Sequence, residues 1–70
     1  NMKIIVNTKR DKDKFLKIIA LVFERQLLNE HGILIIEHSK HMDLSENIFF
    51  SYSKKYGGSV FSFYEATENL

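Results

Sequence analysis

Three histidines and a glutamate crowd one stretch of this chain: His31, Glu37, His38 and His41. Imidazole nitrogens and a carboxylate are metal ligands, and they also move protons near neutral pH. Holding a metal requires a fixed mutual geometry. The apolar run Ile33-Leu34-Ile35-Ile36 reads as a strand, so His38 and His41 flank one of its ends and His31 lies at the other. That spacing fixes no ligand set, and the reading is no metal site. Acid–base work by Glu37 and His38 would need a pocket that converges on them, and the chain has few elements to build one. No residue is given a catalytic role. The expectation for the pair is a polar strand end, hydrogen-bonded to loops at the rim of a sheet. Ligands of α/β proteins gather at the carboxyl ends of parallel strands, so Glu37 and His38 are also candidates for a rim that touches RNA.

Lys54, Lys55 and Tyr56 form a second cluster, just before Gly57-Gly58. Ammonium groups can contact phosphates and a phenol ring can stack on bases. Lysines at an exposed strand end also discourage edge-to-edge pairing, and that solvated-tip reading is favoured. Phe49, Phe50, Tyr52, Phe61, Phe63 and Tyr64 concentrate in the same region. A sheet that stacks RNA bases is conceivable, but alternation along two strands points to a hairpin core.

The elements that must position these groups follow from periodicity. Lys3-Ile4-Ile5-Val6 is β-prone, and residues 2–14 read as a first strand and a charged loop. Asp11 or Asp13 could cap a helix over 15–31, whose side chains can accept from free backbone N–H groups. Phe15, Ile19, Val22 and Phe23 recur at helical spacing, as do Leu16, Ala20, Phe23 and Leu27, which predicts a wide apolar face. Lys17, Glu24 and Arg25 mark the solvent side, and Gly32 is the expected left-handed C-terminal cap. A strand over 33–38 follows, apolar on both faces as in a covered central strand. Asp43-Leu44-Ser45-Glu46 could form one helical turn. Residues 49–64 read as a β-hairpin around Gly57-Gly58, with Phe50 and Tyr52 on one face and Ser51 and Ser53 on the other. Residues 65–70 form a polar tail that should fray. The fold class is therefore α/β, in the order β-α-β-β-β with a C-terminal antiparallel hairpin.

Composition narrows the function classes. The chain has 70 residues, so it is one segment with a marginal core. There is no cysteine, and ten Lys and Arg against nine Asp and Glu give a formal charge of +1. That balance is no nucleic-acid footprint by itself. The longest apolar run, six residues from Ile18 to Phe23, is far short of the ~20 that span a bilayer. No membrane partner is expected, and the location expected is cytoplasmic. Asn1 ahead of Met2 reads as a residue left by an expression tag.

The segments Leu27-Leu28-Asn29-Glu30-His31-Gly32-Ile33-Leu34-Ile35-Ile36-Glu37-His38-Ser39-Lys40, Asp43-Leu44 and Lys54-Lys55-Tyr56-Gly57-Gly58-Ser59-Val60-Phe61-Ser62-Phe63-Tyr64-Glu65 resemble the C-terminal end of a bacterial family. Its members are S-adenosylmethionine-dependent 16S rRNA guanine-N2 methyltransferases, also called methylases. The resemblance covers roughly residues 15–65. It implies the end of a Rossmann-like sheet, with residues 3–6 in the place of the fourth strand, 33–37 as the fifth, 49–54 as the sixth and 59–64 as the seventh. In that family the last strand inserts antiparallel between its two predecessors. The complete family member uses S-adenosylmethionine and acts on ribosomal RNA.

The departures bear on activity. The family binds its cofactor at a glycine-rich turn after the first strand, where glycine lets the backbone approach the ligand. The three glycines here, Gly32, Gly57 and Gly58, are not in such a turn. The family's Asp-Pro-Pro-Tyr motif after the fourth strand is absent, since the chain has no proline; Asn7-Thr8-Lys9-Arg10 stands in its place. No cofactor is expected for this chain alone, and it reads as a truncated piece or a remnant reading frame without methyl-transfer activity. The alternatives are a small self-associating interaction module, or a weak RNA-binding fragment using Lys54, Lys55 and Tyr56. Self-association is expected in any case. One helix covers one face of the sheet, leaving some of Ile4, Val6, Leu34, Ile36, Phe61 and Phe63 exposed, unless residues 39–48 cover the second face.

Overall fold

The computed structural model describes residues 3–6 and 12–66. Its elements are β1 (Lys3–Val6), α1 (Lys12–Glu24), β2 (Ile33–Ser39), β3 (Phe50–Tyr56) and β4 (Ser59–Tyr64). β1 pairs parallel to β2, with Ile4 opposite Leu34 and Val6 opposite Ile36. β4 runs antiparallel along the other side of β2, from Leu34–Tyr64 to Ser39–Ser59. β3 pairs with the outer side of β4, so the order across the sheet is β1-β2-β4-β3. The described residues make a small mixed α/β unit: a four-stranded mixed sheet with one helix.

Alternation sorts the side chains between two faces. Ile4, Val6, Leu34, Ile36, His38, Val60, Ser62 and Tyr64 share one face. Phe15, Ile19 and Val22 of α1 pack with Leu34, Ile36 and Tyr64. The connection between β2 and β3 lies on this same side, adding buried Leu44 and, partly buried, Met42 and Phe49. The Phe23 and Phe49 rings stack at 4.2 Å, which joins the helix to that connection. Residues 39–48 therefore do not cover the second face. The opposite face carries Ile5, Ile33, Ile35, Glu37, Tyr52, Lys54, Tyr56, Phe61 and Phe63, and no element among the described residues covers it. The expected exposed set was mistaken in its parity. Ile4, Val6, Leu34 and Ile36 face the helix, and only Phe61 and Phe63 belong to the open side.

Several local expectations also need correction. The helix ends at Glu24, not near residue 31. Gln26 adopts φ 52°, Leu27 N–H donates to Val22 O at 2.9 Å and Gln26 N–H donates to Phe23 O at 3.4 Å. Those two bonds are the Schellman pattern with Gln26 in the left-handed position, so Gly32 is not the cap. Of the wide apolar face, Leu16 and Ala20 are exposed, and Leu27 lies beyond the helix, also exposed. The segment 43–46 is not helical; the Asp43 side chain instead accepts from Ser45 N–H at 2.9 Å and Ser45 O–H at 2.6 Å. Ser51 is bulged out of the β3–β4 ladder, since Phe50 opposes Tyr64 while Tyr52 opposes Phe63. Phe50 and Tyr52 consequently point to opposite faces. Glu65 extends the pairing, its N–H donating to Phe49 O at 3.0 Å; Ala66 is exposed, and residues 67–70 lie outside the described residues, as does Asp11.

Gln26 offers a direct test of the helix end. A left-handed non-glycine residue costs roughly 1–2 kcal/mol, part of which glycine returns to the unfolded chain as entropy. Gln26→Gly is expected to stabilise the fold by about 0.5–1 kcal/mol, read as a rise of several degrees in the thermal midpoint. A lower midpoint would place the helix end elsewhere.

Candidate functional site

The strand register gathers the rim residues at the carboxyl end of β2. Glu37, Phe61 and Lys54 form one row across the sheet, His38, Val60 and Lys55 the next, and Ser39, Ser59 and Tyr56 the last. Lys40 N–H donates to Gly58 O at 3.2 Å and ties the end of β2 to the hairpin tip. Gly57, with φ 61°, supplies the positive dihedral that this two-residue turn needs at its first position. The five residues are thus neighbours, but pleating divides them. Glu37, Lys54 and Tyr56 belong to the open face, while His38 and Lys55 belong to the helix side.

His38 is 7% exposed and fully engaged. Its Nδ1 lies 2.9 Å from Ser39 O, a carbonyl that can only accept, so Nδ1 carries the proton. Nε2 is then an acceptor and takes the Ser62 O–H at 2.7 Å. The Phe15 ring meets the imidazole edge-on at 6.4 Å. Serine donating to histidine is also the arrangement of a nucleophile and its base. Here Ser62 is only 2% exposed, so its hydroxyl lies inside the fold. A cavity of about 190 Å³ borders the pair, lined by His38, Asp43, Ser45, Ser53, Lys55 and Ser62 among others.

Two further groups complete the polar interior on this side. Tyr64 is fully buried and donates its O–H to Leu44 O at 2.8 Å. Burial pushes its phenol up to about 12. The Ser45 hydroxyl, then the Ser45 backbone N–H, hold the Asp43 carboxyl below its ordinary range. Sequence reasoning missed Ser62 and the Tyr64–Leu44 bond. The available signal was a small polar residue alternating with Val60 and Tyr64 in an otherwise apolar strand.

The remaining candidates disperse. His31 and His41 are exposed, and the Ser39 hydroxyl accepts from the His41 backbone N–H at 3.0 Å. Among the described residues no group of three or more His, Cys, Asp and Glu could hold a metal ion. Lys54, Lys55 and Tyr56 are exposed, and the Tyr56 ring meets Phe61 at 5.5 Å, nearly perpendicular. Gly57 and Gly58 form the hairpin turn, and Gly32 lies buried just before β2, so no glycine of the chain links a strand to a helix. These residues do not fit an S-adenosylmethionine cradle. Asn7-Thr8-Lys9-Arg10 lie outside the described residues. A concavity of about 540 Å³ lies at the opposite end of the sheet, and among the described residues of its lining Glu30 alone is ionisable. Among the described residues no helix is long and apolar enough to cross a membrane. No protein-family model, curated protein or solved structure matches the chain.

Proposed function

We propose that the chain is the C-terminal part of an S-adenosylmethionine-dependent 16S rRNA guanine-N2 methyltransferase-like protein, inactive as this chain alone. The strand order carries the reading. β4 is inserted antiparallel between β2 and β3, and β1 lies parallel on the far side of β2. That is the order of the last four strands in the Rossmann-like sheet implied by the segments around Glu37-His38-Ser39-Lys40 and Tyr56-Gly57-Gly58. In this reading α1 is the crossover between the fourth and fifth strands, and Glu37, Lys54 and Tyr56, on the open face, belong to the substrate-side rim of the complete protein. Cofactor binding and orientation of the guanine amine belong to segments that this chain does not contain.

The test is complementation. A family member truncated after its Asp-Pro-Pro-Tyr motif, which keeps its own fourth strand, is mixed with residues 12–70 of this chain, which leave out β1, and transfer of labelled methyl groups to small ribosomal subunits is counted. Activity is expected in the mixture and in neither component alone. If the family member's own C-terminal segment restores activity and this chain does not, the reading is lost. Calorimetry of the chain alone with millimolar S-adenosylmethionine is expected to show no binding; a 1:1 isotherm of micromolar affinity would put a cofactor site in the chain itself.

A further inference from the structure

The open face of the sheet is ordered by charge as well as by hydrophobicity. Two successive same-face rows cross β2, β4 and β3: Ile35-Phe63-Tyr52, then Glu37-Phe61-Lys54. The first is apolar throughout. The second puts an acid and a base on either side of a phenylalanine. A groove of about 250 Å³ on this face is lined by Ile5, Ile35, Lys54, Tyr56, Phe61 and Phe63. We propose that this face is the interface of a two-fold dimer, its occupant a second copy of the same chain stacked sheet on sheet.

The argument is self-complementarity. A two-fold interface brings one patch against itself, so residue i meets j and j meets i. Let the axis run along β4, midway between two sheets about 10 Å apart. Rotation then exchanges the strands on either side of β4. Glu37 of each copy comes to face Lys54 of the other, Ile35 faces Tyr52, and Phe61 and Phe63 meet their own counterparts. Each charge faces an opposite charge of the other copy, and the apolar row closes on itself. Three strands spaced ~4.8 Å apart and about six residues long make a patch of roughly 300 Å² a side, and with Ile5 at the rim and the relief of the side chains the two copies bury on the order of 600–1,000 Å². That is the low end of interface sizes, which suits a dimer that forms at tens of micromolar.

Other occupants fit less well. The Tyr52 and Phe63 rings are stacked on one another at 4.4 Å and 5°, so each already has one face occupied and unavailable to an RNA base. Glu37 also sets a negative charge in the middle of a surface that would have to follow phosphates. Edge-to-edge pairing along β3 is opposed by the bulge at Ser51 and by Lys54 and Lys55. The inference does not depend on the methyltransferase reading, because the complementation assay and the association assay can fail separately.

Sedimentation equilibrium at tens of micromolar is expected to give twice the chain mass. Glu37→Lys alone and Lys54→Glu alone each turn two attractive contacts into repulsive ones, and each should weaken the dimer at least about tenfold. Mixed in equal amounts, the two variants should form a heterodimer at least as tight as the parent, an outcome that a purely intrachain role for either residue does not produce. Tyr52→Lys, at a position 42% exposed in the single chain, should weaken the dimer by a similar factor and carries the test if a charge variant does not fold. A parent chain that sediments as a monomer, or variants that gain nothing on mixing, would overturn the proposal. So would micromolar binding of a single-stranded oligouridylate probe that Tyr52→Lys abolishes.

Discussion

Phe15→Ala is expected to abolish the cooperative thermal transition, whereas Leu16→Ala should shift it only slightly. Phe15 is completely buried between Ile19, Val22 and the helix-side face of the sheet, and its ring meets His38. Phenylalanine-to-alanine truncations in a core cost about 3–5 kcal/mol, from lost transfer free energy and the cavity left behind. At 0.05–0.15 kcal/mol per residue, a chain of this length has roughly 3.5–10 kcal/mol in total. One truncation therefore removes a large fraction of it. Leu16 neighbours Phe15 in sequence but is 37% exposed. Its replacement deletes a contact that is already half solvated, and alanine's helix propensity offsets part of the loss. Far-UV circular dichroism melts of both variants test the helix docking directly. Equal effects at the two positions would mean that α1 presents a different stripe to the sheet.

The contrast between these neighbours also explains what the sequence could reveal. Phe15, Ile19, Val22 and Phe23, and Leu16, Ala20, Phe23 and Leu27, are both acceptable helical stripes. Periodicity alone cannot say which one meets a sheet. Contacts with Leu34, Ile36 and Tyr64 make that choice, and those residues are distant in sequence. Element types and order were legible because β2 lies between Gly32 and Lys40 and β4 between Gly58 and Glu65, each with its own apolar rhythm. The helix end was not. Leu27 and Leu28 prolong the apolar pattern beyond Glu24, while Gln26 makes the left-handed turn that a reader expects of Gly32. Along β3 the alternation was legible, but the bulge at Ser51 shifts the register by one residue and sends Tyr52 to the other face. A single inserted residue changes every facing assignment before it. The gathering of Glu37, His38, Lys54 and Lys55 was only partly visible. Their place at one end of the sheet follows from strand order, but their division between two faces follows from register.

His38 and Ser62 should show the strongest pairwise coupling in the fold. Ser62→Ala removes the O–H that Nε2 accepts at 2.7 Å and leaves a buried imidazole acceptor without its donor. Such an orphaned group costs about 1–3 kcal/mol. His38→Leu keeps apolar volume against Phe15 but strands the Ser62 hydroxyl among Val60, Tyr64 and the core. Removing both partners together, His38→Leu with Ser62→Ala, leaves no unsatisfied atom between them. Ser39 O loses the imidazole N–H but still accepts from Met42 N–H at 3.1 Å. The double variant is therefore expected to be more stable than the sum of the single losses predicts, with a coupling of about 1–2 kcal/mol. Denaturant melts of the four proteins measure it. Losses that add within about 0.5 kcal/mol would show that the pair is not a closed hydrogen bond in solution. A serine-directed fluorophosphonate should leave Ser62 unmodified even with the bond intact, because the hydroxyl, although its proton is held by a base as a nucleophile's would be, lies beneath the surface.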